Sequence, residues 1–393
     1  MPWQLFVALR YLTSKHKEKF ISIISLISVL GIAVGVAALI IVIAVMSGFD
    51  NDLKEKIIGM NAHLLIESDY GVKPSKELDA IITSTPHVVA AAPYLNGQAL
   101  IRSKDNVTGV ILKGIDSTLE EKICNIRSYI VKGSLDFSAD GVVIGSELAN
   151  RLKLKLGDRI DIVSPVEKEW KKLQVCGIFT SGMYEYDMNF IFVGLEKSQQ
   201  LFQAPGLVSG IGVRVDDALN AKEVKKQLLP KLGDRFSVRT WMELNKNLLS
   251  ALKLEKTVMF LILTLIVVVA CLNIASTLIM TVFEKTKDIG ILKSIGATNL
   301  SIKTLFALEG ALIGIIGTAL GACLGTGLCW ALKTYRFILL PQDIYYIDRL
   351  PVKLEAHDII VIVASSLIIT LLATIYPARK ASGLDPVEAL RYE

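Results

Sequence analysis

The chain has 393 residues, 52% of them hydrophobic and 21% charged, and its mean hydropathy is +0.49. That is too apolar for an ordinary soluble protein. The net charge is only +5, and no nucleic-acid partner is expected.

The apolarity lies in four blocks without a charged residue. Before the first, Trp3-Gln4-Leu5-Phe6-Val7-Ala8-Leu9-Arg10-Tyr11-Leu12 is amphipathic and aromatic-rich, so residues 1–20 are expected to lie in the cytoplasmic interface. Span one covers residues 21–46. Its block, Ile21–Met46, is about 25 residues long, and at 1.5 Å per residue roughly 20 suffice to cross the hydrocarbon core. No small-residue cleavage site follows in Met46-Ser47-Gly48-Phe49, and the run is too long for a signal peptide, so it reads as a permanent anchor. Phe49, Leu53 and Ile57 keep helical spacing, which predicts a stalk continuing to about residue 58.

Residues 59–240 read as a large α+β domain. Strands are expected at His63–Glu67, Val107–Gly114, Arg159–Val163, Leu173–Phe179, Phe190–Val193 and Ile211–Val215. Helices are expected at Ser75–Thr83, Ser146–Leu152, Ser198–Phe202 and Ala221–Leu229. The strand-rich middle, about 142–202, is expected to be a second subdomain inserted into the first. Cys124 and Cys176 fall in this domain, either as a disulfide or as two buried thiols.

Thr240-Trp241-Met242-Glu243 is a capping box. Without Gly or Pro until after Val282, it predicts one helix over residues 241–282 that includes span two. Two such stalks either transmit motion across the membrane or simply tether the domain. Within span two, Asn273, Ser276 and Thr277 are expected to form interhelical hydrogen bonds. A cytoplasmic segment, 283–303, follows. There Ile289, Leu292 and Ile295 form an apolar stripe, with Gly296 placed to stop a short helix. That helix either lies on lipid headgroups or fits a groove in a cytoplasmic partner.

Span three, 304–332, carries Gly310, Gly314, Gly317, Gly321 and Gly325, and span one has Gly31 and Gly35. Such small-residue faces allow close helix packing in lipid. Glu309, at the cytoplasmic edge of span three, is a functional candidate or a carboxylate reaching the interface or a nearby Arg. A loop at 333–358, span four at 359–376 and a cytoplasmic tail at 377–393 complete the chain. In the tail, Asp385 is placed to cap a last helix with Pro386 at its first position and Glu388 at its third.

Basic residues set the orientation. Arg10, Lys15, Lys17 and Lys19 precede span one. Lys285, Lys287, Lys293 and Lys303 follow span two, and Arg379, Lys380 and Arg391 lie in the tail. These three pieces hold 11 basic against 6 acidic residues, an excess equal to the net charge of the whole chain. Positive-inside bias thus puts both termini in the cytoplasm and residues 59–240 outside a bacterial inner membrane.

No Gly-x4-Gly-Lys-Ser/Thr phosphate loop occurs. His16, His63, His87 and His357 are scattered without metal-ligand spacing. Gly145-Ser146-Glu147 lacks the flanking glycine of a nucleophile elbow, and the Ser14–Lys17 spacing sits in a solvated basic segment. No catalytic, cofactor-binding or metal-binding residue is expected, so any energy must come from a partner.

Glu284–Ala297, the Gly-rich span after Leu308-Glu309-Gly310, and the ending Tyr376-Pro377-Ala378-Arg379-Lys380-Ala381 with Leu384-Asp385-Pro386-Val387-Glu388-Ala389-Leu390-Arg391 resemble the FtsX/MacB-type ABC transporter permeases. Leu9-Arg10-Tyr11-Leu12, Val45-Met46-Ser47-Gly48-Phe49, Gly177-Ile178-Phe179 with Ser181-Gly182-Met183, and Asp343-Ile344-Tyr345-Tyr346-Ile347-Asp348 with Leu350-Pro351 narrow the likeness to the LolC/LolE-type permeases of lipoprotein release. The resemblance implies a polytopic membrane protein that works with a second permease subunit, as homo- or heterodimer, and with a separate cytoplasmic ATPase holding ATP and Mg2+. The complex would extract lipoproteins for a periplasmic chaperone.

It also implies roles for particular residues. Lys285, Asp288, Ile289, Leu292, Lys293, Ile295 and Gly296 would couple to the ATPase, and Pro377, Arg379, Asp385, Pro386 and Glu388 form the tail motif. Val42, Met46 and Phe49 with Met259, Leu263 and Ile266 would line the acyl-chain path, though the same residues could serve as lipid-facing filler. The family's chaperone-hooking hairpin corresponds here only to the short stretch Pro165–Lys172. The alternatives are a mechanotransmission permease that regulates periplasmic hydrolases or drives efflux, and a non-transport membrane scaffold.

Overall fold

The computed structural model describes residues 3–13, 19–104, 106–167, 169–335 and 350–385. The described residues divide into a membrane unit (up to 51, 251–335 and 350–385) and an outer unit (52–250).

In the membrane unit, α1 (Trp3–Thr13) precedes α2 (Lys19–Met60), which runs on well beyond the expected span. The other long apolar helices are α10 (Lys246–Glu284), α12 (Asn299–Thr334) and α13 (Ala356–Ser382), with the short α11 (Thr286–Ser294) between α10 and α12. These four long helices have the length and composition to cross a membrane. A core of Ile32, Val36, Ile40, Leu263, Val267, Ile274, Leu278 and Ile313 runs between them.

The expected unbroken helix over 241–282 is interrupted. A short α9 (Trp241–Leu244) ends at Asn245, and α10 starts afresh at Lys246. Asn245 supplies the reason, since its Nδ2 donates to the Trp241 carbonyl at 2.8 Å. A side-chain amide that competes for backbone partners favours a helix end. The capping box forms as written. Thr240 Oγ1 accepts from the Glu243 N–H at 3.2 Å, and Glu243 Oε2 accepts from the Thr240 N–H at 2.9 Å.

The outer unit is built on a mixed ten-stranded sheet. Its strands are β1 (Leu64–Val72), β2 (Val88–Ser103), β3 (Asn106–Ile115), β4 (Ile130–Gly133), β5 (Gly141–Gly145), β6 (Arg159–Val163), β7 (Lys171–Phe179), β8 (Phe190–Gly194), β9 (Val208–Val215) and β10 (Ser237–Thr240). The order is β10-β1-β9-β2-β3-β8-β5-β7-β4, with β6 paired to β2 and β7. The β3–β8 and β5–β7 pairs are parallel, and the rest are antiparallel. Helices α3 (Lys76–Thr83), α4 (Ser117–Ile123), α5 (Ser146–Leu152), α6 (Tyr184–Asn189), α7 (Leu195–Leu201) and α8 (Ala221–Leu232) connect the strands.

The sixteen-residue β2 is absent from the expected strands. Its Ala-rich run and Pro93 read poorly as a strand. Pro93 is tolerated because β2 pairs there only with β9, opposite Ile211, and pairing with β3 begins at Tyr94. The strand passes from one core to another. Leu64, Ile66, Ile82, Val213, Leu228 and Trp241 belong to the first, and Ile101, Leu112, Ile144, Leu148, Ile160 and Ile191 to the second. The nested core therefore starts near Ala99, earlier than the expected 142.

Two smaller expectations resolve here. The stretch Pro165–Lys172 closes an antiparallel hairpin, with Ile162 opposite Lys171. Cys124 and Cys176 are both free thiols. Burial pushes Cys124 up to about 12 and Cys176 to about 11, so both stay protonated at neutral pH.

Candidate functional site in the membrane unit

The expected coupling segment forms the helix α11. It ends in a Schellman motif, with the Ala297 N–H bonded to the Leu292 carbonyl at 2.9 Å and the Gly296 N–H to the Lys293 carbonyl at 3.0 Å. Gly296 adopts φ +102°, a left-handed conformation open to glycine at little cost.

The stripe of Ile289, Leu292 and Ile295 does not act as one face. Ile289 is fully buried and Leu292 half-buried, against Val282, Ile302, Leu305, Phe306 and Ala378 of their own unit. At 100° per residue, Ile289 and Ile295 point 120° apart. Ile295 instead shares its face with Ile291, four residues earlier. Ile295 is 76% exposed, Ile291 47%, and Leu300 beyond the turn 71%. Lys293 is also engaged internally. Its ammonium donates to the Ser382 and Leu384 carbonyls at 2.8 and 2.7 Å, satisfying acceptors left open at the end of α13. Lys285 and Asp288 form an i,i+3 pair at 3.5 Å.

Glu309 lies inside the unit, 1% exposed, and its Oε2 has no hydrogen-bond partner among the described residues. Of the tail motif, Pro377 is buried inside α13, which runs on to Ser382, and Arg379 is exposed. Asp385 ends the described stretch, and the expected helix with Pro386 and Glu388 lies outside the described residues.

Five of the six glycines of α12 sit at close approaches, Gly327 being the exception. A Cβ at Gly310 or Gly314 would meet Thr374 or Thr370 of α13. At Gly317, Gly321 and Gly325 it would meet Ile32, Ala33 and Ala37 of α2. Helix α12 thus packs between α2 and α13. Hydroxyls also bridge helices, with Ser28 of α2 and Thr277 of α10 2.9 Å apart and Thr318 of α12 and Ser366 of α13 3.0 Å apart. Of the three polar residues expected to bond between helices, Thr277 does so, while Asn273 and Ser276 are exposed.

The residues expected on the acyl-chain path divide. Val42, Met46, Phe49 and Met259 are half-buried and Ile266 is exposed, whereas Leu263 is buried in the interhelical core. Near them is a polar cluster that the sequence reading missed. Lys256 Nζ lies 2.9 Å from Asp358 Oδ2 and 3.1 Å from Ser47 Oγ, joining α10, α13 and α2. Just before α13, the Lys353 N–H donates to the Ala44 carbonyl at 2.9 Å, and Gly48 lies against the Pro351 backbone. The available signal was two opposite charges, Lys256 and Asp358, each bordering an apolar run.

Comparison with known proteins agrees with this architecture. The family model described as MacB-like periplasmic core domain matches residues 25–231, and that described as FtsX-like permease C-terminal matches 260–386. The chain is 34% identical to the lipoprotein-releasing system transmembrane protein LolC of Xylella fastidiosa (strain 9a5c), covering 100% of this chain and 99% of that protein. It is 28% identical to the corresponding LolE of Haemophilus influenzae, covering 98% of each. Among solved structures, the periplasmic region of MacB from Actinobacillus actinomycetemcomitans matches at 13% identity with a TM-score of 0.36, covering 49% of this chain and 95% of that one. The chain belongs to the LolC/LolE family of FtsX-like membrane permeases, with four membrane-spanning helices and a MacB-like periplasmic core domain.

Proposed function

We propose that this chain is the membrane subunit of an ABC complex that extracts lipoproteins from the inner membrane and passes them to a periplasmic chaperone for the outer membrane. Full-length likeness to LolC, named as a lipoprotein-releasing system protein, is the observation that carries the reading. Both termini lie in the cytoplasm, and a second permease subunit completes the complex. ATP and Mg2+ are bound by a separate ATPase chain, which docks on the exposed face formed by Ile291, Ile295 and Leu300. Acyl chains travel beside Met46 and Met259, whose flexible thioethers suit chains of varied length.

A photocrosslinker at Met46 or Met259, in the working complex, is expected to label a lipoprotein. If neither position does, the substrate is wrong. Ile295→Asp is expected to lower recovery of the ATPase with the permease, while the protein stays folded because Ile295 is 76% exposed. Unchanged recovery would exclude that docking face. Leu292→Asp is the poorer test, because Leu292 packs into the unit's own core.

A further inference from the structure

Helices α2, α10 and α13 line an open cavity of about 350 Å³ at the end that leads, along the chain, to the periplasmic domain. Its wall is apolar, made by Ile43, Phe260, Val361 and Ile362, while Lys253, Lys256, Thr257 and Asp358 form its polar part. The cavity straddles a change of polarity in two helices. Along α10, Lys253, Glu255 and Lys256 give way to the charge-free run from Val258, and along α13 Asp358 gives way to the run from Ile359. A site at that level meets headgroups at one end and hydrocarbon at the other.

The charges do not cancel within it. Lys256 is matched by Asp358 and held by Ser47. Lys253, three residues earlier, is exposed, and its ammonium has no ion-pair or hydrogen-bond partner among the described residues. One unmatched ammonium above an apolar slot offers a charged donor to a phosphate beside room for hydrocarbon, the chemistry that recognises an anionic amphiphile. The size limits the apolar part. The volume equals roughly a dozen waters at about 30 Å³ each, and a methylene occupies about as much, so a single acyl segment fits. None of the six residues expected on the lipoprotein path lines this cavity.

We propose that this cavity is a binding site for an anionic phospholipid of the outer leaflet, with its phosphate on Lys253 and one acyl segment along Phe260, Val361 and Ile362. The lipid would fill the gap between α10 and α13 below the Lys256–Asp358 pair, as a resident lipid and not as cargo. This goes beyond the lipoprotein reading and does not depend on it.

The test uses the full complex in vesicles of phosphatidylethanolamine and phosphatidylglycerol, with phosphatidylglycerol carrying a photoactivatable group in one acyl chain. Labelling is expected on the α10 and α13 peptides containing Phe260 and Val361. Lys253→Gln should reduce it about fivefold, the weight of one Lys beside an anionic membrane surface, and Lys253→Arg should restore it. Since Lys253 is exposed, both variants are expected to assemble, which recovery of the complex checks. Undiminished labelling in Lys253→Gln would overturn the proposal. So would equal labelling by photoactivatable phosphatidylethanolamine, or labelling of these peptides by a lipoprotein acyl chain and not by phosphatidylglycerol.

Discussion

Each unit is packed internally by a different means. In the membrane unit, helices approach most closely where side chains are missing, at Gly317, Gly321 and Gly325 against α2 and at Gly310 and Gly314 against α13. Hydroxyl pairs such as Thr318–Ser366 fasten the same seams. The outer unit instead fills its sheet faces with Ile, Leu and Val and buries one ion pair, Lys113 with Glu120, at 2.6 Å. The difference follows from the solvent. In lipid, apolar surface gains little by leaving its surroundings, so close contact and hydrogen bonds decide helix association. In water, apolar burial leads, and a charge taken inside must be paired.

This contrast can be broken from both sides. The largest effect is expected in the outer unit. Lys113→Met would strand Glu120, whose side chain is 3% exposed, at a cost of about 3–5 kcal/mol. Hydrogen exchange would report the loss across β3 and α4, and adding Glu120→Leu should recover most of it. If Lys113→Met alone proves neutral, the pair does not matter for stability. A smaller effect is expected in the membrane unit. The Cβ of Gly321→Ala would lie 2.6 Å from the Ala33 carbonyl oxygen, a clash with backbone that costs about 1–3 kcal/mol. Gly327, in the same helix, has nothing within 4 Å, so Gly327→Ala should leave thermal stability in detergent unchanged or raise it. Equal responses at the two positions would contradict packing through Gly321.

The smallest effect sharpens the contrast through pH. His63 is buried, and its pKa lies below the ordinary imidazole value of about 6.5, through burial first and nearby Arg214 second. The unfolded chain therefore takes up the proton before the folded one. Stability contributed by His63 is whole above pH 6.5 and falls as pH drops from there toward its folded pKa, by at most about 1.4 kcal/mol per pH unit. Melting of the outer unit followed against pH should show this slope, and His63→Gln should flatten it.

Much of this was legible in the sequence because a few residues suffice to signal it. Four charge-free blocks mark the spans, Thr240 and Glu243 mark a helix start, and Gly296 marks a stop. What was hidden depends on partners far along the chain. Pro93 argues against a strand until β2 is seen to lack a neighbour on one side at that point. Ile289, Leu292 and Ile295 look like one docking stripe until Phe306 and Ala378 are found beneath the first two. Lys256 and Asp358, 102 residues apart, become a pair only when α10 and α13 are packed side by side. Periodicity reports that a face is apolar, but not whether a neighbour from its own chain already covers it.

Lipoprotein release by this permease can be measured as transfer from reconstituted vesicles. The chain is embedded with the ATPase and second permease proposed for it, a lipoprotein is loaded, and a soluble lipoprotein chaperone is supplied outside. ATP is expected to move the lipoprotein into the soluble fraction, and vesicles lacking this chain are expected not to release it. ATP hydrolysis without any transfer, in vesicles where the complex is intact, would contradict that expectation.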